Sequence, residues 1–150
     1  MKRFNFRLQN LLHLRESLEK MQGAELGQAE RTEGALRVTA EQSGTRLAAI
    51  EEQAAGPAGA ARAAGLWHVV GLSVEAARAN ADLAAEELRL AEEQRALELE
   101  RFNEARTARR VLEKLRERRA ADWDVEVGRA ERREFEDQVI ARLPQKDGPS

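Results

Sequence analysis

Between Ala54 and Gly65 the chain reads AAGPAGAARAAG. Gly56, Pro57, Gly59 and Gly65 make this the one clear break in the sequence. Proline is excluded from helix interiors because it lacks the amide hydrogen and clashes with the preceding turn. The other two prolines, Pro144 and Pro149, lie in the tail. The residues on either side of the break are therefore free to run as long helices. The reading is a first helix over 7–55, a turn over 56–65, a second helix over 66–143 and a disordered tail over 144–150. A short break between two long helices favours an antiparallel hairpin. The fold class expected is all-α, a single elongated domain over 1–150. Two long helices form an antiparallel coiled-coil hairpin, and the second is longer and overhangs the first.

Composition agrees with that reading. Ala, Glu, Arg, Leu and Lys supply 92 of the 150 residues, a bias typical of coiled coils and long helices. Leu, Ile, Val and Phe number only 32, too few for the interior of an ordinary globule of this length. The net charge of −2 is too small to suggest a disordered chain. The few apolar residues must then form a narrow seam. Cysteine is absent, so there is neither a disulfide framework nor a thiol site. No run of 18 apolar residues occurs, and no small-residue cleavage site follows the basic start MKRFNFRLQNLL. A soluble cytoplasmic protein is the default expectation.

In the first helix, Leu8, Leu11, Leu18, Leu26, Ala29, Leu36, Ala40, Leu47, Ile50 and Ala54 trace a heptad seam with a shift of phase after Leu18. In the second, Leu83, Leu90, Leu97 and Val111 share one register. Leu88, Phe102, Ala105, Leu112, Leu115 and Trp123 occupy neighbouring faces. With the turn centred near Ala60, Leu47 faces the region of Val74, Leu18 that of Phe102, and Leu8 that of Leu112. At ~1.5 Å per residue the helices are ~73 and ~117 Å long. The second then projects from about Leu115 onward, leaving Trp123, Val127, Phe135 and Ile140 uncovered. Unpaired apolar residues on a projecting helix suggest docking into a partner.

Charge is uneven. Residues 82–100 hold seven acidic and two basic side chains, whereas 101–119 hold eight basic and three acidic. The basic N-terminus is expected beside the second stretch, giving a collar that steers acidic partners.

Chemistry is sparse. His13 and His68 are the only histidines, too far apart in a hairpin to share a metal. No phosphate-binding loop or dinucleotide fingerprint occurs. The carboxylate pairs sit in water on a thin coiled coil, poor ground for acid–base catalysis, and a two-helix hairpin offers no enclosing pocket. The expectation is no enzyme, no cofactor, no metal and no catalytic residue. Arg106–Arg119 has the look of a basic region, but the overall charge is negative and no aromatic platform for single strands exists. Nucleic acid is therefore not expected as a partner.

The two ends are more specific. FNFRLQNLLHLRESLEK, over Phe4–Lys20, carries Phe4, Phe6, Leu8, Leu11, Leu12, Leu14 and Arg15 at the spacing F-x-F-x-L-x-x-L-L-x-L-R. Near the other end, Leu112-Glu113-Lys114-Leu115-Arg116-Glu117-Arg118 is followed by Glu131, Arg133, Glu134 and Asp137. Together these resemble the FliJ family of flagellar export proteins; Glu136 departs from the Asp usual there. The resemblance implies an antiparallel coiled coil in the cytoplasmic part of the flagellar type III export apparatus. It implies a stalk in the pore of a hexameric export ATPase that stimulates the enzyme and connects it to the membrane export gate. It also implies handling of export chaperones and only peripheral association with the membrane. The ATPase-binding set on this reading is Phe4, Phe6, Leu8, Leu11, Leu12, Arg15, Leu115, Arg118, Trp123, Glu131, Arg133, Phe135 and Asp137. The gate-binding set is Leu47, Ile50, Leu66 and Trp67. The competing readings are a stalk or chaperone of a virulence type III secretion system and a generic structural coiled-coil tether.

Overall fold

A computed structural model describes residues 3–56 and 64–142. Two helices make up the fold, α1 over Gln9–Ala55 and α2 over Ala64–Arg142. Both match the expected spans to within two residues. Most of the expected turn at 56–65 lies outside the described residues, as does the tail at 144–150. No described residue is in a strand. Contacts divide the chain into two units, 18–105 and the pair of stretches 1–17 and 106–150.

The helices hold together locally in spite of their β-branched and hydroxyl residues. Ser17, Thr32, Thr39, Thr45 and Ser73 each donate the hydroxyl to the carbonyl four residues back, so these five do not compete for a backbone amide. At the start of α1 the Gln9 amide bonds to the Phe6 carbonyl at 3.0 Å. This turn satisfies one of the donors a helix start leaves free.

The unit of residues 18–105 is an antiparallel pair of α1 and α2. Its ion pairs fix the direction: Glu33 meets Arg95 at 2.6 Å, Arg37 meets Glu92 at 3.1 Å, and Glu51 meets Arg78 at 2.6 Å. The Glu33–Arg95 contact at Arg95 Nε is an ion pair without the alignment of a hydrogen bond. The numbers of these partners add to 128 or 129, not to about 121, so the expected pairing is displaced by some seven residues.

The seam also differs from the expected one. On α1 the half-buried positions from residue 19 include the row Glu19, Gln22, Leu26, Ala29, Glu33, Leu36, Ala40, Ser43, Leu47, Ile50 and Ala54, with Gly23, Gly27 and Glu51 beside it. The row is an uninterrupted heptad. The expected phase shift after Leu18 disappears once polar Glu19 and Gln22 are allowed seam positions. On α2 the row Leu83, Leu90 and Leu97 is 60 %, 51 % and 51 % exposed, which overturns its assignment to the seam. The buried row is Ala77, Ala84, Ala91 and Glu98, alternating with half-buried Ala81, Leu88, Arg95 and Phe102. The physical reason is packing volume. α1 supplies Leu26, Leu36, Leu47 and Ile50, and the facing row fills the remaining space with methyl groups. Gly23 belongs to the same fit, since a Cβ placed there would lie 3.4 Å from the Phe102 ring.

In the unit of 1–17 and 106–150, the non-helical stretch before α1 lies beside α2. Phe6 and Leu12 are buried there, Leu12 to 1 % exposure. Leu8 and Leu11, expected in the seam, are exposed instead, as is Val111. Phe4 packs against Trp123, and Trp123 and Val127 are half-buried. The expectation that α2 stands uncovered from Leu115, with Trp123 and Val127 bare, is therefore incorrect. Residues 3–6 are not helical and 7–8 form a turn, so the chain before Gln9 does not follow the helical rise of ~1.5 Å per residue. The short N-terminal stretch thus covers more of α2 than helical arithmetic allows. From Arg129 to Arg142 every residue is exposed, and this is where α2 overhangs.

Candidate functional site

Three places collect the residues singled out in the sequence. The first is a groove of about 720 Å³ in the unit of 1–17 and 106–150. Phe4, Phe6 and Leu8 line it from the N-terminal stretch, and Leu115, Arg119 and Trp123 from α2. A concavity was not expected of a two-helix hairpin. It arises because a non-helical stretch of chain, rather than a second helix, lies against α2 here. Arg7, Arg119, Asp122 and Glu126 also line the groove, so its apolar floor has a rim of mixed charge. Arg119, Asp122 and Glu126 were missed in the sequence. Their signal was the spacing 115, 119, 122, 126, which places them on one helical face with Leu115.

Within the expected ATPase-binding set, the structure separates three groups. Phe4, Phe6, Leu8, Leu115 and Trp123 surround the groove. Leu12 is buried, so its side chain holds the unit together and offers no surface, while Phe6, also buried, forms part of the groove floor. Arg15 is half-buried, while Leu11, Arg118, Glu131, Arg133, Phe135 and Asp137 are exposed.

The second place is the overhang. Phe135, Glu136, Val139 and Ile140 line a shallow hollow of about 290 Å³. Phe135 and Ile140 are among the most exposed apolar residues, at 68 % and 65 %. Val139, four residues after Phe135, completes the patch and was missed in the sequence. Side chains four residues apart share one side of a helix, and Ile140 adjoins Val139 in the same hollow.

The third place is in the unit of 18–105. Ile50 and Leu66 line a groove of about 580 Å³ together with Arg46, Val70 and Ser73. Leu47 is half-buried in the seam, and Trp67 is exposed but not part of the groove. Only two of the four residues expected at the export gate are thus brought together.

The electrostatics are those of a solvated helix surface. Arg89 bridges Glu86 at 2.6 Å and Glu93, and its hydrogen bond to Glu86 holds that carboxyl below the usual glutamate range. The same bond raises the Arg89 guanidinium, and the Glu51 hydrogen bond raises that of Arg78. His13 bonds to Gln9 at 2.8 Å. Among the described residues no group of His, Asp or Glu side chains is placed to hold a metal ion. None of the described helices is long and apolar enough to cross a membrane.

The fold therefore defines an all-α chain whose two helices pair as an antiparallel coiled coil. No family model, no curated protein and no solved structure matches it.

Proposed function

We propose that the chain is a non-enzymatic stalk of the flagellar type III protein export apparatus. It works in the cytoplasm, peripheral to the inner face of the cell membrane. The end of α2 enters the pore of a hexameric export ATPase and stimulates it. The region of Leu47, Ile50, Leu66 and Trp67 meets the export gate, and export chaperones are further partners. The resemblance of both ends to the FliJ family motivates this reading.

The observation that carries it is the exposure of Phe135, Val139 and Ile140 on the last turns of α2. Nothing in the fold of that unit requires apolar groups there, and exposed apolar clusters mark docking sites. Arg3, Arg7, Arg110, Lys114, Arg116, Arg118 and Arg119 are exposed in the same unit and supply the positive field that would steer it to an acidic ring.

The test compares the turnover of a purified hexameric export ATPase with the full chain and with a chain lacking residues 129–142. This truncation spares the Phe4–Trp123 contact. The full chain is expected to raise the rate and the truncated chain to leave it at the basal level. Equal stimulation by both overturns the assignment of the docking end, and no stimulation by either overturns the function.

A further inference from the structure

The antiparallel pair of residues 18–105 has two unlike sides. One is latched: Arg37–Glu92 and Arg78–Glu51 cross between the helices there. On α1, Arg37 and Glu51 sit next to the seam row of Glu33, Ala40 and Leu47. On α2, Arg78 and Glu92 sit next to the row of Ala81, Leu88 and Arg95. The helical phase of these positions puts both cross-links on the same side. The opposite side carries neither cross-link. It holds a groove of about 220 Å³ lined by Glu25, Gln28 and Thr32 of α1 and by Ala91, Gln94 and Glu98 of α2. One step further out on this side run Leu83, Leu90 and Leu97, all more than half exposed.

Two features say what covers this side. A row repeating every seven residues stays in line with a second helix laid along it, whereas a globular partner needs no such repeat. The groove beside it is acidic. Glu98 is 7 % exposed. Its Oε1 accepts hydrogen bonds from Gln94 at 2.7 Å and Arg101 at 3.1 Å, but its Oε2 has no hydrogen-bond partner. A buried carboxylate oxygen without a donor is costly. Glu25 lines the same groove, Glu87 lies between it and the leucine row, and Glu100 flanks the row. Arg101 pairs with Glu98, and Arg89 with Glu86 and Glu93, which leaves the charges of Glu25, Glu87 and Glu100 without an ion pair among the described residues.

We infer that this side of the 18–105 unit is a docking surface for an amphipathic helix of another protein. The helix lays an apolar heptad row on Leu83, Leu90 and Leu97, and directs lysine or arginine into the groove at Glu98 and Glu25. The basic stretch of a second copy of this chain does not match this surface. That stretch, 101–119, exposes only one large apolar residue, Val111, with Glu104 and Arg118 seven residues to either side. The surface is independent of the role proposed for the other unit.

The test uses the full chain and two synthetic three-heptad helical peptides. Both carry leucine at the first and fourth heptad positions, one flanked by lysine and the other by glutamate. Titration calorimetry is expected to show binding of the lysine peptide, with the glutamate peptide about tenfold weaker or undetectable. Leu90→Glu is the decisive variant. Its side chain is exposed, so helix content by circular dichroism stays unchanged, and its added negative charge would strengthen a purely electrostatic attraction. It is expected to weaken the lysine peptide by about tenfold or more, and Glu98→Gln to weaken it several-fold. Equal binding of the two peptides, or undiminished binding to Leu90→Glu, overturns the inference. So does sedimentation showing a dimer that Leu90→Glu dissociates, because a second copy would then occupy the surface.

Discussion

The ring of Phe4 lies 6.2 Å from that of Trp123, inclined by 55°. A tilted pair at this separation places the positive edge of one ring towards the negative face of the other, worth ~0.5–1.5 kcal/mol beyond the area buried. The contact joins the non-helical start of the chain to α2 and sets where its overhang begins.

Phe4→Ala should therefore release the N-terminal stretch and open Trp123 to solvent. In a Trp67→Phe background, acrylamide quenching of the remaining tryptophan is expected to rise. A double-mutant cycle with Trp123→Ala should return a coupling of ~1 kcal/mol. Unchanged quenching would contradict the contact.

Leu12 and Leu83 look alike in the sequence and differ in the fold. Leu12 is 1 % exposed, so Leu12→Ala should cost ~2–5 kcal/mol through lost burial and the cavity left behind. Leu83 stands outside the seam, so Leu83→Ala should change stability by no more than ~0.5 kcal/mol. Urea unfolding of the two variants checks both values. Equal losses would restore Leu83 to the core.

Gly34 and Gly44 are helical, and a Cβ at either would meet nothing within 4 Å. Replacing each by Ala should raise stability by ~1 kcal/mol, since Ala loses less backbone freedom on folding. Gly23→Ala should gain less, because its Cβ would come to 3.4 Å from the Phe102 ring. Thermal unfolding ranks the three.

Glu86 titrates below the ordinary glutamate range because Arg89 donates to its carboxylate. A carboxyl whose folded value is lowered adds stability above its unfolded pKa, and loses it as pH falls through the folded value. Carboxyl NMR titration should place Glu86 below the usual range, and Arg89→Ala should bring it back up. Both groups are solvent-exposed, so salt should shrink the difference.

How much was legible in the sequence depended on what each signal measures. The break at Gly56-Pro57 and the long stretches free of proline placed both helices to within two residues, because proline and glycine act on the local backbone. The choice of seam was not local. Ala77, Ala84 and Ala91 repeat every seven residues, and so do Leu83, Leu90 and Leu97, one position out of phase. Periodicity alone cannot choose between them, and hydrophobicity favours the leucines. The same limit hid the polar seam residues Glu19, Gln22, Glu33, Arg95 and Glu98, whose place inside depends on partners across the pair. In the other unit, helical arithmetic could not foresee that Phe4 would reach Trp123 through a non-helical stretch, and so Trp123 was read as bare.

The sequence by itself determined that this protein is two long helices with a thin apolar seam and unevenly placed charge. Those properties follow from residue propensities and spacing along one chain. Tertiary structure alone decided which of two equally periodic rows is buried, where α2 is left uncovered, and that one side of the 18–105 pair is latched while the other holds an open acidic groove. Volume and charge have to be matched between residues some sixty positions apart, such as Glu33 and Arg95, and no pattern within a single helix carries that information.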